Sequence, residues 1–85
     1  MELNDTVKLM NSKKYEERFK AEYFQLVIRI DKLSLMLTKM ANGTLDFKPK
    51  CTYGVLSQQY EAMLELRRIM EKRAKSEGID VTMPK

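Results

Sequence analysis

The chain has 85 residues, of which 16 are basic and 12 acidic, a net charge of +4 and one cysteine. This length leaves room for one domain with one core, and folds of this size often gain stability from disulfides, metals or partner subunits. The lone Cys51 cannot close an intrachain disulfide and no histidine is present for a zinc site, so association between copies is the route that remains.

The first eleven residues, 1–11, are interpreted as an N-terminal arm that is either docked or frayed. A long helix is predicted for residues 12–42, because Asn11 or Ser12 can cap its start and Gly43 can take the left-handed conformation that ends a helix. Apolar residues recur along it at alternating steps of four and three, which is typical of a row that faces a partner helix. This first apolar row consists of Phe19, Tyr23, Leu26, Ile30, Leu33, Leu37 and Met40.

A second apolar row on the same helix consists of Phe24, Val27, Ile28, Leu35 and Met36. Two rows give this helix more apolar surface than one partner helix can bury. The sequence therefore predicts that copies of the chain associate.

A packed connector is predicted for residues 43–52 and a second helix for residues 53–77, with Thr52 as its N-cap and Gly78 at its end. Residues 78–85 form a tail. The expected fold is all-α: one domain, residues 1–85, folded as an antiparallel two-helix hairpin with a short N-terminal arm and assembled into a helical oligomer.

The usual catalytic parts are missing from the sequence. It has no histidine, no phosphate-binding glycine loop and no metal-binding cluster, so we expect a non-enzymatic protein without cofactor or metal. The free thiol, the lack of a secretory apolar region after Met1 and the lack of an apolar run of about 18 residues predict a cytoplasmic protein without membrane association.

Cations and tyrosines beside the apolar rows form the candidate ligand site: Tyr23, Arg29, Lys32, Tyr60 and Arg67. Guanidinium and ammonium groups bind phosphate, and tyrosine rings stack on bases or donate hydrogen bonds. The alternatives stay open, since Arg29 and Lys32 can lay their stems on the core and tyrosines at helical spacing are ordinary core residues. Arg67 interrupts an apolar row and needs a carboxylate or phosphate partner.

A secondary anion site is weakly indicated where the second helix begins. Lys48 and Lys50 precede Thr52, and the free amides of a helix start attract anions.

A basic cluster near the end of the second helix raises the possibility of nucleic-acid binding: Arg67, Arg68, Lys72, Arg73 and Lys75. Cations in the last turns also complement the helix dipole, and interleaved glutamates dilute the cluster. Nucleic acid is therefore the less favoured partner.

Four segments of the chain carry a resemblance to a known family: "RFKAEYFQLVIRIDKL", "ANGTLDFKPKCTYGVL", "QQYEAMLELRRIMEKRA" and "SEGID". They resemble a family of small proteins of tailed bacteriophages and prophages named after a gene product of a crAss-like phage. The resemblance covers Arg18 to Asp80. Its signature consists of Glu22-Tyr23, Leu26, Arg29, Lys32-Leu33, Leu45-Asp46-Phe47, Pro49-Lys50-Cys51, Gln59, Ala62-Met63 and Arg73.

The resemblance implies a phage protein in the cytoplasm of a bacterial host. Small helical phage proteins include anti-defence sponges, which hold cyclic nucleotides or related immune signals, and inhibitors that cap a host enzyme. We therefore expect a homo-oligomer that binds a small anionic nucleotide-derived ligand between subunits. The alternatives are a module that docks on a host protein or, less favoured, a nucleic-acid-binding protein.

Overall fold

The computed structural model describes residues 1–83, and the predicted tail residues 84 and 85 lie outside it. A 3-10 turn, Leu3–Thr6, leads into the short helix α1, Val7–Met10. Two long helices follow, α2 at Tyr15–Asn42 and α3 at Tyr53–Glu77. No strand occurs within residues 1–83, and the fold is all-α as the sequence predicts.

The start of α2 differs from the prediction, because the helix begins at Tyr15 rather than at residue 12. The amide of Ser12 donates to the carbonyl of Leu9 at the end of α1, at 3.2 Å. Its hydroxyl accepts from the amide of Lys14 at 3.1 Å. Ser12 therefore closes the preceding turn, and the extended Lys14 stands at the N-cap of α2 without a side-chain cap.

The other helix ends follow the sequence closely. Gly43 and Gly78 have φ angles of 72° and 69°, and each ends a long helix in the left-handed conformation that favours glycine. At the start of α3 the hydroxyl of Thr52 accepts from the amide of Val55 at 3.2 Å, which confirms the predicted N-cap.

Helices α2 and α3 pack antiparallel. The hydroxyl of Tyr15 donates to Glu77 at 2.7 Å near one end, whereas Thr38 and Tyr53 line one groove near the other. The chain is 43 Å long in its largest dimension. The main core cluster is buried near the end that holds both termini, and its members are Phe19, Tyr23, Phe24, Met70, Ala74 and Ile79.

The second apolar row of α2 is covered in part by the two ends of the same chain, whereas its Leu35 is 57% exposed. Leu9 of α1 packs on the core cluster from one side, and Val81 and Met83 of the tail pack on it as well. Thr6 is fully buried, and its hydroxyl accepts from Gln25 of α2 at 2.9 Å. The arm is thus docked on α2 rather than frayed.

Because Phe24 and Ile28 are buried within the chain, they do not supply the spare surface that the sequence suggested for oligomer formation. The exposed apolar side chains lie mainly elsewhere, and α3 carries several of them: Val55, Leu64, Leu66 and Ile69. Leu35 of the second row is still exposed, so association between copies can use this position or the apolar side chains of α3.

Candidate ligand-binding site

An open groove runs between one side of α2 and one side of α3 and encloses about 490 Å³. We call it the basic groove, and its lining residues are Leu26, Arg29, Lys32, Leu33, Met36, Gln59 and Met63. On α2 these positions recur at steps of three and four, so one helical stripe supplies one wall. Gln59 and Met63 stand one turn apart on α3 and form the other wall.

The basic groove has an apolar floor and a cationic rim. Leu26, Leu33 and Met63 are half-buried, whereas Arg29 and Lys32 are exposed. Lys32 Nζ lies 3.8 Å from Glu2 Oε2, but both side chains are largely exposed and such a pair contributes little. No acidic residue of the described chain lines this groove, so Arg29 and Lys32 are its charged lining residues, although Glu22 lines the adjoining groove beside Arg29.

A second groove lies between the C-terminal half of α2 and the N-terminal half of α3, and it encloses about 360 Å³. We call it the tyrosine groove. It is lined by Ser34, Leu37, Thr38, Ala41, Asn42, Tyr53, Ser57, Tyr60 and Glu61. Its only charged lining residue within the described chain is Glu61, so by itself this groove does not attract an anion.

Arg67 finds its partner inside the chain. Its Nε lies 3.7 Å from Glu71 Oε2, and the same carboxylate oxygen accepts a hydrogen bond from the Tyr23 hydroxyl at 2.7 Å. The Tyr23 hydroxyl, together with Glu71 and Asp31, raises the pKa of the Arg67 guanidinium. Burial first, and then the hydrogen bond to Glu71, raise the pKa of Tyr23.

This network changes what Tyr23 and Arg67 can do. Tyr23 is only 5% exposed, and its ring belongs to the core cluster, so no face of it is free to stack on a base in this conformation. The guanidinium of Arg67 is half-buried beside Glu71 and is already compensated. A phosphate at Arg67 would have to compete with that carboxylate.

The five predicted site residues are therefore divided among three places in the hairpin. Arg29 and Lys32 line the basic groove, and Tyr60 lines the tyrosine groove. Tyr23 and Arg67 form the internal pair with Glu71 between the helices. Gln59 and Tyr60 are consecutive in α3 and point about 100° apart, which puts them on different grooves.

The groups of the secondary anion site are also separated. Lys48 lines a shallow groove of about 240 Å³ with Lys39 and the connector, but Lys50 and Thr52 do not line it. The Thr52 hydroxyl accepts the cap hydrogen bond from Val55.

Sequence reasoning missed the α3 wall of the basic groove. Gln59 and Met63 form this wall, although their i, i+4 spacing was visible beforehand. Sequence reasoning also missed Glu71 as the partner of Arg67, although these two residues are likewise separated by an i, i+4 offset.

The basic cluster of α3 is neutralised in part by neighbouring carboxylates. Arg67, Arg68 and Arg73 are paired with glutamates of the same helix, Glu71, Glu65 and Glu77. The Arg73 guanidinium also lies 5.1 Å from the Phe19 ring centroid and donates to the Tyr15 hydroxyl at 3.0 Å. These arginines have structural partners, which weakens the case for a nucleic-acid surface.

Two features are absent from the part of the chain that the structure describes. Residues 1–83 hold no group of three or more cysteine, aspartate or glutamate side chains arranged to bind a metal ion. Within the same residues, none of the helices combines the length and apolar character needed to span a membrane.

Comparison with protein families gives one match, in which the family model described as Sequestin matches residues 13–76. The match includes nearly all of α2 and α3 and every residue of the basic groove. No curated protein and no solved structure matches the chain.

Proposed function

The chain belongs to the Sequestin family, and from this premise we propose that it is a non-enzymatic phage protein that sequesters a nucleotide-derived immune signal between its subunits. The family name suggests a sequestering role, which requires binding and no chemical step. The signal that we propose is a cyclic oligonucleotide or a similar anionic molecule produced by a bacterial defence system. The proposed location is the cytoplasm of the bacterial host.

The observation that carries this proposal is the composition of the basic groove. Two cations stand on its rim, the floor is apolar, and no acidic residue of the described chain lines it. Its volume of about 490 Å³ falls in the range of about 300–1,000 Å³ that is common for small-molecule sites. Such a groove favours a ligand with both a phosphate and an apolar ring.

Each lining group has a definite role in the proposed complex. Arg29 takes phosphate oxygens with its planar fork, and Lys32 adds a second positive charge. Leu33, Met36 and Met63 pack against the base, because thioether and aliphatic side chains fit an aromatic face. The Gln59 amide can both donate to and accept from a base edge.

The tyrosine groove contributes to the proposed ligand site only if copies of the chain assemble. Tyr60 lines the tyrosine groove and not the basic groove of its own chain, and the two grooves share no lining residue. A second subunit could present its Tyr60 or Arg67 to that ligand. The proposed roles of Tyr23, Tyr60 and Arg67 therefore depend on a contact between copies or on a change of side-chain position.

Titration calorimetry of the full chain with cyclic dinucleotides, a cyclic trinucleotide and a linear mononucleotide tests the proposal. We expect one or more cyclic compounds to bind, and Arg29→Ala to weaken that binding by about 10- to 150-fold, since a charge-assisted hydrogen bond contributes about 1.5–3 kcal/mol. Lys75→Ala is the matched control, because Lys75 is exposed near the far end of α3. Binding that is absent across the panel, or that survives in Arg29→Ala, contradicts the proposal.

A second function, docking on a host protein, is favoured by the exposed apolar side chains of α3 such as Leu66 and Ile69, which are 46% and 44% exposed. A host protein captured from lysate by the native chain, and lost in Leu66→Asp while nucleotides fail to bind, would support this second function instead.

A further inference from the structure

A row of exposed residues along α3 repeats at alternating steps of four and three. Its members are Val55, Gln59, Ala62, Leu66, Ile69 and Arg73. We call this row the α3 seam. The spacing is that of a helix that packs lengthwise on another helix. Within the described chain α2 covers the neighbouring side of α3, where Met70 and Ala74 are buried, and the α3 seam borders that contact, since Gln59 and Leu66 line grooves shared with α2. In the protomer Val55, Leu66 and Ile69 are 54%, 46% and 44% exposed.

We infer that the α3 seam pairs with the α3 seam of a second copy in an antiparallel, two-fold arrangement. This inference builds on the proposed function, because it names the surface that brings two subunits together beside the basic groove. A two-fold axis makes the contact self-complementary, so each residue makes the same contact in both copies. Each contact across the α3 seam therefore occurs twice in the dimer.

Charge complementarity supports the antiparallel direction. When Leu66 packs against Ile69 of the second copy, coiled-coil geometry brings Glu65 to Lys72 of the second copy, and the symmetry repeats that pair. Glu65 and Lys72 flank the α3 seam on its outer edge, and both are exposed. Glu65 also pairs with Arg68 of its own chain, so Lys72 of the second copy would join an existing ion pair. Opposite charges at this edge favour the pairing and set its register.

The size and charge of Arg73 point in the same direction. In the antiparallel register Arg73 lies opposite the small Ala62, which leaves room for its long stem. A parallel pairing would set the two Arg73 guanidiniums opposite each other, and their electrostatic repulsion disfavours that arrangement. In its own chain Arg73 is paired with Glu77 at 3.4 Å, so it enters the contact already compensated.

The pairing has a consequence for the basic groove. Gln59 belongs both to the α3 seam and to the α3 wall of that groove. In the antiparallel register the last turns of α3 from the second copy run past Gln59. The second copy therefore supplies the missing side of a groove that is open in one chain.

Sedimentation velocity of the full chain at micromolar concentration tests the pairing. We expect a dimer, and we expect Leu66→Asp to raise its dissociation constant at least tenfold, on the order of what burying one charge costs. Leu64→Asp is the matched control, because Leu64 is 39% exposed on the same helix but outside the seam. Circular dichroism checks that both variants keep their helices. A monomer, or a dimer that Leu66→Asp leaves intact, overturns the inference.

A charge reversal provides a test that does not touch the apolar residues. Glu65→Lys alone and Lys72→Glu alone should each weaken the dimer, roughly tenfold when two symmetric pairs change from attraction to repulsion. The double variant should restore it. A double variant as weak as the single ones overturns the antiparallel register.

The exposed thiol of Cys51 allows the direction to be measured. Spin labels on the two copies of Cys51 should lie roughly 50 Å apart in the antiparallel dimer, since each is about 16 residues from the axis at 1.5 Å per residue. A separation below about 25 Å indicates the parallel arrangement and overturns the inference.

Nucleotide calorimetry separates this inference from the proposed function. A seam-dependent dimer that binds no nucleotide refutes the function and supports the α3 seam. A monomer that binds a nucleotide refutes the α3 seam and the placement of the ligand between subunits, and it supports nucleotide binding by the single chain.

Discussion

Removing the Tyr23 hydroxyl should show how strongly the internal pair between the long helices is held. This hydroxyl donates to Glu71 at 2.7 Å from a side chain that is 5% exposed. A hydrogen bond to a charged group contributes about 1.5–3 kcal/mol, but Glu71 is 48% exposed and water replaces part of that interaction. We therefore expect Tyr23→Phe to lower the free energy of unfolding by about 1 kcal/mol.

The expected change in melting temperature follows from the size of the chain. At about 2.1 cal/mol/K per residue, 85 residues have an unfolding entropy of roughly 0.18 kcal/mol/K, so about 1 kcal/mol corresponds to a decrease of about 5–6 °C. Circular dichroism at a fixed protein concentration measures it, because association also shifts the transition. Tyr53→Phe is the control, since Tyr53 is 49% exposed.

A double-mutant cycle with Glu71→Gln assigns the effect to the pair. If Tyr23 and Glu71 interact as described, the loss in the double variant should be smaller than the sum of the single losses by about 1 kcal/mol. Single effects that add to within about 0.3 kcal/mol would refute the reasoning. In that case the network would no longer support the pairing of Arg67 with Glu71 inside the chain.

Three further predictions concern stability. Met70 is 2% exposed, so Met70→Ala should cost about 2–5 kcal/mol, whereas Leu64→Ala at an exposed position should change the free energy of unfolding by less than about 1 kcal/mol; urea denaturation compares them. Thr52→Ala should cost about 1 kcal/mol through the lost cap of α3, and Thr52→Ser should restore most of it in the same assay. Because the pKa of Tyr23 is raised above its ordinary 10.0 by burial and by Glu71, its contribution to stability is complete below that pH and is lost as the pH rises through the folded-state pKa. The stability difference between the native chain and Tyr23→Phe should accordingly stay constant from about pH 7 to 9 and shrink above about pH 10, and an equal difference at every pH would be inconsistent with this.

The long helices could be predicted because their signals are local. The four-three spacing from Phe19 to Met40 depends only on the helical period, and Gly43 and Gly78 supply a conformation that other residues rarely adopt. The start of α2 was missed by three residues, because Ser12 is a good cap for either of two adjacent turns. The role of Ser12 depends on where α1 ends, and α1 has no strong apolar period from which its end could be predicted.

The candidate site was harder to predict because it depends on the rotation of α3 relative to α2. Each helix alone shows which residues share a stripe, but not which stripe of the partner faces it. Arg29 and Tyr60 both flank the helix contact, yet they lie on different grooves. The cover of Phe24 by Leu9 and Val81 was equally invisible, since neither end of the chain has a repeating pattern.

The docked arm reduces the apolar surface of α2 that a second copy of the chain could contact. A helix with apolar residues open on two sides can join neighbours on both and extend into a filament, whereas one open side closes after a single symmetric contact. Residues 1–10 lie against α2 through the contacts of Thr6 with Gln25 and of Glu2 with Lys32, and they leave fewer sides of α2 open to a neighbour. If copies pair through the α3 seam, removal of residues 1–10 should therefore favour assemblies larger than a dimer, which sedimentation velocity would detect.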